Sequence, residues 1–243
     1  MHAPREVLLV DAGGDSMEVL SARLRRLGCR AVWTKTTQAA RDALLDSRHA
    51  FGAAVVPPDL PTANLRAALQ VLRAPTPESR LQLLVAGARP GIEGRRLLRA
   101  AGVDLALWNP IDQHTLQFQI NRALARAAEA SVERGALRAP ADWPVRVRAR
   151  DRIKPARVYS LSASGAYLAT PRPSLRKVLL HVELPLPSGC ADLEARVVMT
   201  NVPGNLMRRN LPIGMGVRFE GATVEAEAAL LLYVEGRRRA LAV

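Results

Sequence analysis

The sequence predicts two domains: an α/β domain with a five-stranded parallel sheet, followed by a small antiparallel β-barrel that ends in a helix. Three observations predict this fold class. The chain has 243 residues, enough for two ordinary domains. Before about residue 130, short apolar runs alternate with helical patterns, whereas after it polar and apolar residues alternate between turns rich in proline and glycine. We place the domains at 1–128 and 129–243 and expect each to fold by itself.

The first half contains five apolar runs of strand length, each followed by a helical pattern. The apolar runs are Val7–Val10, Ala31–Trp33, Gly52–Val56, Leu81–Ala86 and Asp104–Trp108. The helical patterns occupy residues 17–27, 38–47, 65–72, 92–101 and 112–129, and the pair Thr36 and Thr37 is typical of a helix start. Runs without polar alternation predict strands buried on both faces, so we expect a doubly wound parallel sheet covered by helices.

Strand-like alternation dominates the second half. It is clearest in residues 145–150 and continues in parts of 156–161, 177–184, 193–202 and 213–219. Turns are predicted at Ser162–Gly165, Ser188–Gly189 and Pro203–Gly204, with Gly165 supplying a positive φ. A final helix over 223–235 carries one apolar stripe, formed by Val224, Ala228, Leu231 and Leu232. About six short strands followed by one helix predict a small barrel.

Composition narrows the functional classes. Hydrophobic residues make up 49% of the chain, but no apolar stretch is long enough to span a membrane. Cys29 and Cys190 are the only cysteines and lie in different predicted domains, so we expect reduced thiols in a cytoplasmic protein without membrane insertion. The net charge of +13 favours an anionic partner. The sequence contains no nucleophile–base pair, metal-ligand cluster or phosphate loop, so we expect no enzyme, no cofactor and no metal.

The order and length of the elements in the first half resemble the receiver domain of bacterial response regulators. That family has an acidic pair after strand one, a phosphoacceptor aspartate after strand three, a hydroxyl after strand four and a lysine before a proline after strand five. The matching positions here hold Asp11 beside Ala12, Pro57 as the acceptor position, Val85–Ala88 without a hydroxyl, and Asn109 before Pro110. Asp59 lies between prolines without these partners, and we do not expect it to replace the acceptor. The resemblance implies a pseudo-receiver that serves docking or homodimer formation.

Three motifs follow one another in the second half. Arg134 and Arg138 stand four residues apart before the first strand, Ser160, Ser162 and Gly165 form an S-x-S-x-x-G turn, and Gly214–Phe219 reads G-M-G-V-R-F before the last helix. Over residues 131–240 their order and spacing resemble the PilZ domain, the bacterial receptor module for cyclic di-GMP.

The resemblance implies which residues bind the dinucleotide. Arg134 and Arg138 would clamp its phosphates or guanines with their guanidinium forks, and Ser160, Ser162 and Gly165 would form the opposing surface. The family has aspartate or asparagine where this chain has Ser160. Because a serine hydroxyl cannot accept a charge-assisted bond from a guanine, the resemblance implies weakened binding at this position.

Three functions stay open at this stage. The first is a cyclic di-GMP-responsive effector or adaptor that acts on a protein partner in bacterial signalling. The second is a ligand-independent protein–protein interaction module of motility or polarity machinery, which Ser160 and the missing receiver groups favour. The third is nucleic-acid binding through Arg146, Arg148, Arg150 and Arg152, which is less favoured because few aromatic residues accompany them.

Overall fold

The computed structural model describes residues 6–11, 16–60, 65–73, 81–128, 137–150, 152–187, 189–207 and 211–243. The chain forms two compact units. One consists of Met1–Val132 together with Leu241–Val243, and the other of Glu133–Ala240. The predicted clamp residue Arg134 and the predicted turn residue Ser188 lie outside the described residues.

The first unit is a doubly wound α/β domain, as predicted. Its elements are β1 (Glu6–Val10), α1 (Ser16–Arg26), β2 (Arg30–Thr34), α2 (Thr37–Leu45), β3 (Phe51–Val56), α3 (Leu65–Arg73), β4 (Gln82–Gly87), α4 (Ile92–Ala100), β5 (Leu105–Trp108) and α5 (Gln113–Ala128). The five strands pair in parallel in the order β2-β1-β3-β4-β5. This is the order of the doubly wound sheets of flavodoxin and CheY.

Apolar residues on both faces of the sheet explain the continuous hydrophobic runs. One face is covered by α1 and α5, whose buried side chains include Leu24 and Ile120. The other face is covered by α2, α3 and α4, with Leu69 and Leu98 in its core. The helix start predicted near Thr36 is confirmed, since Thr36 Oγ1 accepts a hydrogen bond from the Ala39 N–H at 3.1 Å and caps α2.

The second unit is the predicted antiparallel barrel with a terminal helix. Its elements are β6 (Ala139–Ala149), β7 (Arg152–Ser162), β8 (Gly165–Ala169), β9 (Leu179–Leu186), β10 (Gly189–Val202), β11 (Asn205–Leu206), β12 (Gly214–Glu220) and α6 (Val224–Ala240). The sheet order is β11-β10-β12-β8-β7-β6-β9, and a further pairing of β9 with β10 closes six of the strands into a barrel. Alternate residues of β6, β7 and β9 point into one apolar core.

The predicted apolar stripe of α6 is wrong. Val224 is 78% exposed and Leu232 is also exposed, whereas the buried residues of α6 are Leu230 and Val234. Leu230 and Val234 are one helical turn apart, and the neighbouring Tyr233 packs its ring on Trp143 of β6 with centroids 4.4 Å apart. Because three consecutive leucines give nearly every face of this helix some apolar character, the sequence does not fix which face meets the barrel.

The last three residues of the sequence belong to the first unit. Ala242 forms an antiparallel bridge with Leu105 of β5, and the Ala106 N–H donates to the Leu241 carbonyl at 3.2 Å. The sequence pattern gave no indication of this placement, and the predicted boundary left all residues after 128 in the barrel domain. The barrel unit is therefore inserted between two parts of the first unit.

Candidate functional site

The receiver-like chemistry would require groups at the carboxyl ends of β1, β3, β4 and β5, which lie along one edge of the sheet. Asp11 directly follows β1 and is buried, and its N–H donates to the Thr34 carbonyl at 2.8 Å. Pro57 is buried directly after β3, and its side chain has no oxygen that could accept a phosphoryl group. Asp59, two residues later, is exposed.

The end of β4 contacts the loop after β3 on one side and the end of β5 on the other. A Cβ atom on Gly87 would lie 2.7 Å from the Pro58 ring, so the loop after β3 packs directly on the end of β4. The Asn109 N–H donates to the Gly87 carbonyl at 2.9 Å, and the Asn109–Pro110 peptide bond is cis. Proline, glycine and asparagine thus occupy the three strand ends at which receivers hold a phosphoryl group.

We expect no transfer of a phosphoryl group from acetyl phosphate or from a sensor kinase to this protein. Pro57 has no nucleophilic oxygen, and Asn109 brings no positive charge to stabilise a bound phosphoryl group. The measurement is incubation with radiolabelled acetyl phosphate followed by gel separation. A stable label that disappears in the Asp59→Asn variant would contradict the pseudo-receiver interpretation.

In the barrel unit, the S-x-S-x-x-G motif forms the tight connection between β7 and β8. Ser162 and Gly165 face each other in the strand register, and Ser162 Oγ donates to the Gly165 carbonyl at 2.9 Å. The Ser164 carbonyl accepts from the Phe219 N–H of β12 at 3.0 Å. The Ser162 side chain is fully buried and engaged within the turn, so it shapes the connection, and its contact with a ligand stays a prediction.

The expected positive φ of Gly165 is wrong. Gly165 does not have a positive φ. A Cβ atom at this position would overlap the main-chain oxygen of Val217 and lie 3.2 Å from the Arg218 Cα. Gly214, at the other end of the β8–β12 pairing, leaves equally little room, since a Cβ atom would overlap the Leu168 carbonyl oxygen. Glycine is required at both positions because β8 and β12 approach closely.

Two predicted ligand-binding residues meet at the start of the barrel. Arg138 Nη1 donates a hydrogen bond to Ser160 Oγ at 3.2 Å. The register explains this contact, because Pro140 and Ser160 pair between β6 and β7, and Arg138 lies just beyond that pair. Ser160 is only 4% exposed, whereas Arg138 is half-buried. Arg138, the second arginine of its motif, thus contacts the first serine of the S-x-S-x-x-G motif.

Two tyrosines flank Ser160, and sequence analysis did not assign them to the site. Tyr159 precedes it on β7, and Tyr167 of β8 is its partner in the strand register. Both tyrosines are buried outside the barrel core, with their rings edge to face and their centroids 5.9 Å apart. The Tyr167 hydroxyl donates to the Pro212 carbonyl at 2.6 Å. The available sequence signal was the presence of one tyrosine on each side of the S-x-S-x-x-G motif, on two strands predicted to be adjacent.

We expect the phenol of Tyr167 to titrate above the ordinary range of tyrosine, because burial raises its pKa to about 12. The folded-state pKa lies above the ordinary value of 10.0, so the stabilisation from the neutral phenol is complete below about pH 10 and is lost as the pH rises through about 12. Ultraviolet difference titration of the protein and of Tyr167→Phe measures this. If the titration step near pH 12 persists unchanged in Tyr167→Phe, the assignment is wrong.

The basic surface proposed for nucleic acid is not uniformly positive. Arg146 and Arg148 are exposed on β6, as the alternation predicted. In the register with β9, Arg146 lies opposite Glu183 and Arg148 opposite His181. Arg150 has a φ of 52° in the turn that follows β6. An acidic side chain within this surface reduces its attraction for a phosphate backbone.

Comparison with known proteins yields likenesses to receiver structures. No protein-family profile and no curated protein sequence matches the chain. The receiver domain of the sensor histidine kinase PA1611 from Pseudomonas aeruginosa is 24% identical, with 51% of this chain and 99% of that chain covered and a TM-score of 0.44. A CheY-like receiver domain protein from Methanospirillum hungatei is 17% identical, covering 51% and 97% with a TM-score of 0.44.

A third structure is similar to the same extent. The signal receiver domain of an HD domain-containing protein from Pseudomonas fluorescens is 19% identical, with coverages of 53% and 92% and a TM-score of 0.45. The fold of the first unit is established by its own strand order.

The described residues were compared with two further requirements, those of a membrane span and of a metal site. None of the helices in these parts of the chain combines the length and apolar character needed to cross a membrane. Within the same parts, His, Cys, Asp and Glu side chains do not gather in a group of three or more that could hold a metal ion.

Proposed function

We propose that the protein is a non-catalytic bacterial signalling adaptor that binds cyclic di-GMP at the start of its barrel and transmits binding to a protein partner. The observation that carries this proposal is the hydrogen bond from Arg138 to Ser160, which places one arginine of the motif beside the first serine of the S-x-S-x-x-G motif. Arg138 is half-buried, and its guanidinium lies beside Ser160 at the first strands of the barrel.

The chemistry of this corner suits a guanine-containing diester. A guanidinium fork binds a phosphate or the O6 and N7 atoms of guanine in bidentate fashion, and it also stacks on a base. The turn between Ser162 and Gly165 is fixed by the Ser162 hydroxyl and by the contact with β12. A pre-formed turn of this kind loses little conformational freedom when a ligand binds.

The location of the arginines suggests how binding is transmitted. Arg134 and Arg138 lie in the stretch of sequence between Ala128, where α5 ends, and Ala139, where β6 begins. A ligand held by both arginines therefore restrains the chain that joins the two units. Ordering of a connecting segment is a recognised route by which ligands switch the arrangement of domains.

Calorimetric titration with cyclic di-GMP tests the proposal. We expect binding by the wild type, and the Arg134→Ala and Arg138→Ala variants should each weaken it by more than about 1.5 kcal/mol, or about tenfold, through loss of a charge-assisted bond. Arg148→Ala is the matched control, since Arg148 is an exposed arginine on β6. If Arg138→Ala and Arg148→Ala affect binding equally, the proposed site is wrong.

The second candidate is a ligand-independent interaction module, and the hydroxyl of Ser160 favours it because the position lacks a carboxylate or amide for the guanine edge. In that case neither wild type nor Ser160→Asp binds cyclic di-GMP in the titration. The receiver-like unit then provides the docking or homodimer surface, since Pro57 removes the phosphoryl switch.

A further inference from the structure

The first unit holds Leu241–Val243 against β5 through a single β-bridge. In the sheet order β2-β1-β3-β4-β5, β5 lies at an edge, so its outer main-chain groups have no partner strand within the sheet itself. Ala242 bridges Leu105 in antiparallel direction, opposite to the parallel direction of the five strands. The tripeptide thus covers an edge that would otherwise be open to pairing.

All three carbonyl groups of the tripeptide accept hydrogen bonds from the first unit. The Leu241 carbonyl accepts from the Ala106 N–H at 3.2 Å and from Gln119 Nε2 at 3.0 Å. The Ala242 carbonyl accepts from Trp108 Nε1 at 3.3 Å. The main-chain oxygen of Val243 accepts from Arg99 Nε at 2.8 Å and Nη2 at 2.6 Å.

The side chains that donate these bonds belong to three different elements, and the Gln119 side chain is fully buried. Arg99 lies on α4, Trp108 ends β5 and Gln119 lies on α5. Gln119 has no exposed surface, and its Nε2 also donates to the Ala106 carbonyl at 3.0 Å. Burial of an amide is costly unless its N–H groups have hydrogen-bond acceptors. One of the two acceptors of Gln119 Nε2 is the carbonyl of Leu241, which is distant in the sequence.

The outer side chains of the tripeptide occupy apolar positions. Val243 is 3% exposed and belongs to the core cluster that contains Leu98, Val103 and Ala106. Leu241 is 7% exposed. The β5 edge, together with side chains of α4 and α5, therefore donates to three consecutive carbonyl groups and buries an apolar residue on each side of a small one.

We propose that the β5 edge is a peptide-binding groove for a short extended segment of the pattern apolar–small–apolar, and that Leu241–Val243 is its resident, exchangeable occupant. Addition of a strand to a sheet edge is a common mode of peptide recognition, in which main-chain bonds supply affinity and side-chain pockets supply specificity. A three-residue occupant is weak by itself and stays bound through the high effective concentration that its covalent attachment provides. When it leaves, the groove is open to a partner segment of the same pattern.

Fluorescence anisotropy with a labelled peptide of the sequence of residues 237–243 tests this inference. A chain ending at Ala240 is expected to bind the peptide, and the full chain to bind it at least about tenfold more weakly because its groove is occupied. A scrambled peptide of the same composition should not bind to either. No binding to a truncated chain that retains a cooperative thermal transition, or equal binding to both chains, would overturn the proposal.

Three further variants, one in the full chain and two in the truncated chain, keep the test decisive. Val243→Asp in the full chain places a charge in the apolar position and should open the groove without removing any residue. In the truncated chain, Arg99→Ala should weaken peptide binding by about tenfold or more, whereas Arg96→Ala, an exposed arginine of the same helix, should not. If truncation and Val243→Asp both abolish folding, the tripeptide is a permanent part of the unit and the exchange is refuted. These readouts are independent of cyclic di-GMP.

Discussion

Replacement of Gly165 by alanine is expected to lower the melting temperature of the barrel by about 10 °C or more. A Cβ atom at this position overlaps the Val217 carbonyl oxygen, which belongs to the main chain of β12 and cannot rotate away. Overpacking of a well-packed site costs about 1–3 kcal/mol, and a main-chain obstacle places this variant at the upper end. For a domain of this size, 1 kcal/mol corresponds to about 4–8 °C.

The matched control is Gly216→Ala on β12. The nearest heavy atom to a Cβ atom at Gly216 is Met199 Cβ at 3.5 Å, which is an ordinary van der Waals contact. Gly216→Ala should therefore leave the melting temperature nearly unchanged. Near-ultraviolet circular dichroism follows the transition, since Trp143 packs on Tyr233 in the barrel unit. Equal melting temperatures for the two variants would show that β8 and β12 can separate at no cost.

The Ser160→Asp variant is expected to tighten binding of cyclic di-GMP by about tenfold to a hundredfold. A carboxylate at this position can accept hydrogen bonds from the donors of a guanine edge, and a bond to a charged group is worth about 1.5–3 kcal/mol. Arg138 Nη1 already lies 3.2 Å from the Ser160 hydroxyl, so the new carboxylate would have a cationic partner even before the ligand binds. Such a partner reduces the cost of placing a charge at a buried position.

Calorimetric titration of Ser160→Asp, Ser160→Ala and the wild type measures this effect. Ser160→Ala removes the hydroxyl without adding an acceptor, and should bind no more tightly than the wild type. Combination of Ser160→Asp with Arg138→Ala should lose most of the gain, because the carboxylate is then buried without its cationic partner. A Ser160→Asp variant that binds no better than Ser160→Ala would contradict the role assigned to this position.

Much of the fold could be predicted because its two units differ in hydrophobic period. Continuous apolar runs such as Val7–Val10 identified buried parallel strands, and Arg146 and Arg148 identified the outer face of a barrel strand. The Thr36 cap is local chemistry and could also be read directly. These features depend on neighbouring residues alone, so a single sequence contains the information.

The features that sequence analysis missed depend on contacts between distant residues. The leucines at 230–232 point in several directions around α6, and the barrel decides that Leu230 is the buried one. The need for glycine at Gly165 comes from Val217, which lies on another strand. Leu241–Val243 is too short to show any period, and its placement depends on Arg99 and Gln119. The proximity of Arg138 and Ser160 could be expected only because a family resemblance assigned both residues to one binding site.

The insertion of the barrel between two parts of the first unit affects the order in which the chain is completed on the ribosome. The residues up to Val132 are synthesised first, but Leu241–Val243 are added only after the stretch from Glu133 to Ala240. At about 5–20 residues per second, the β5 edge waits about 5 to 20 s for the segment that covers it. During that interval neighbouring nascent chains on the same messenger can pair with the uncovered edge. If the barrel folds as fast as it is synthesised, its folding does not lengthen the interval before the last three residues reach β5. Fast folding of the barrel is therefore an advantage for the first unit as well.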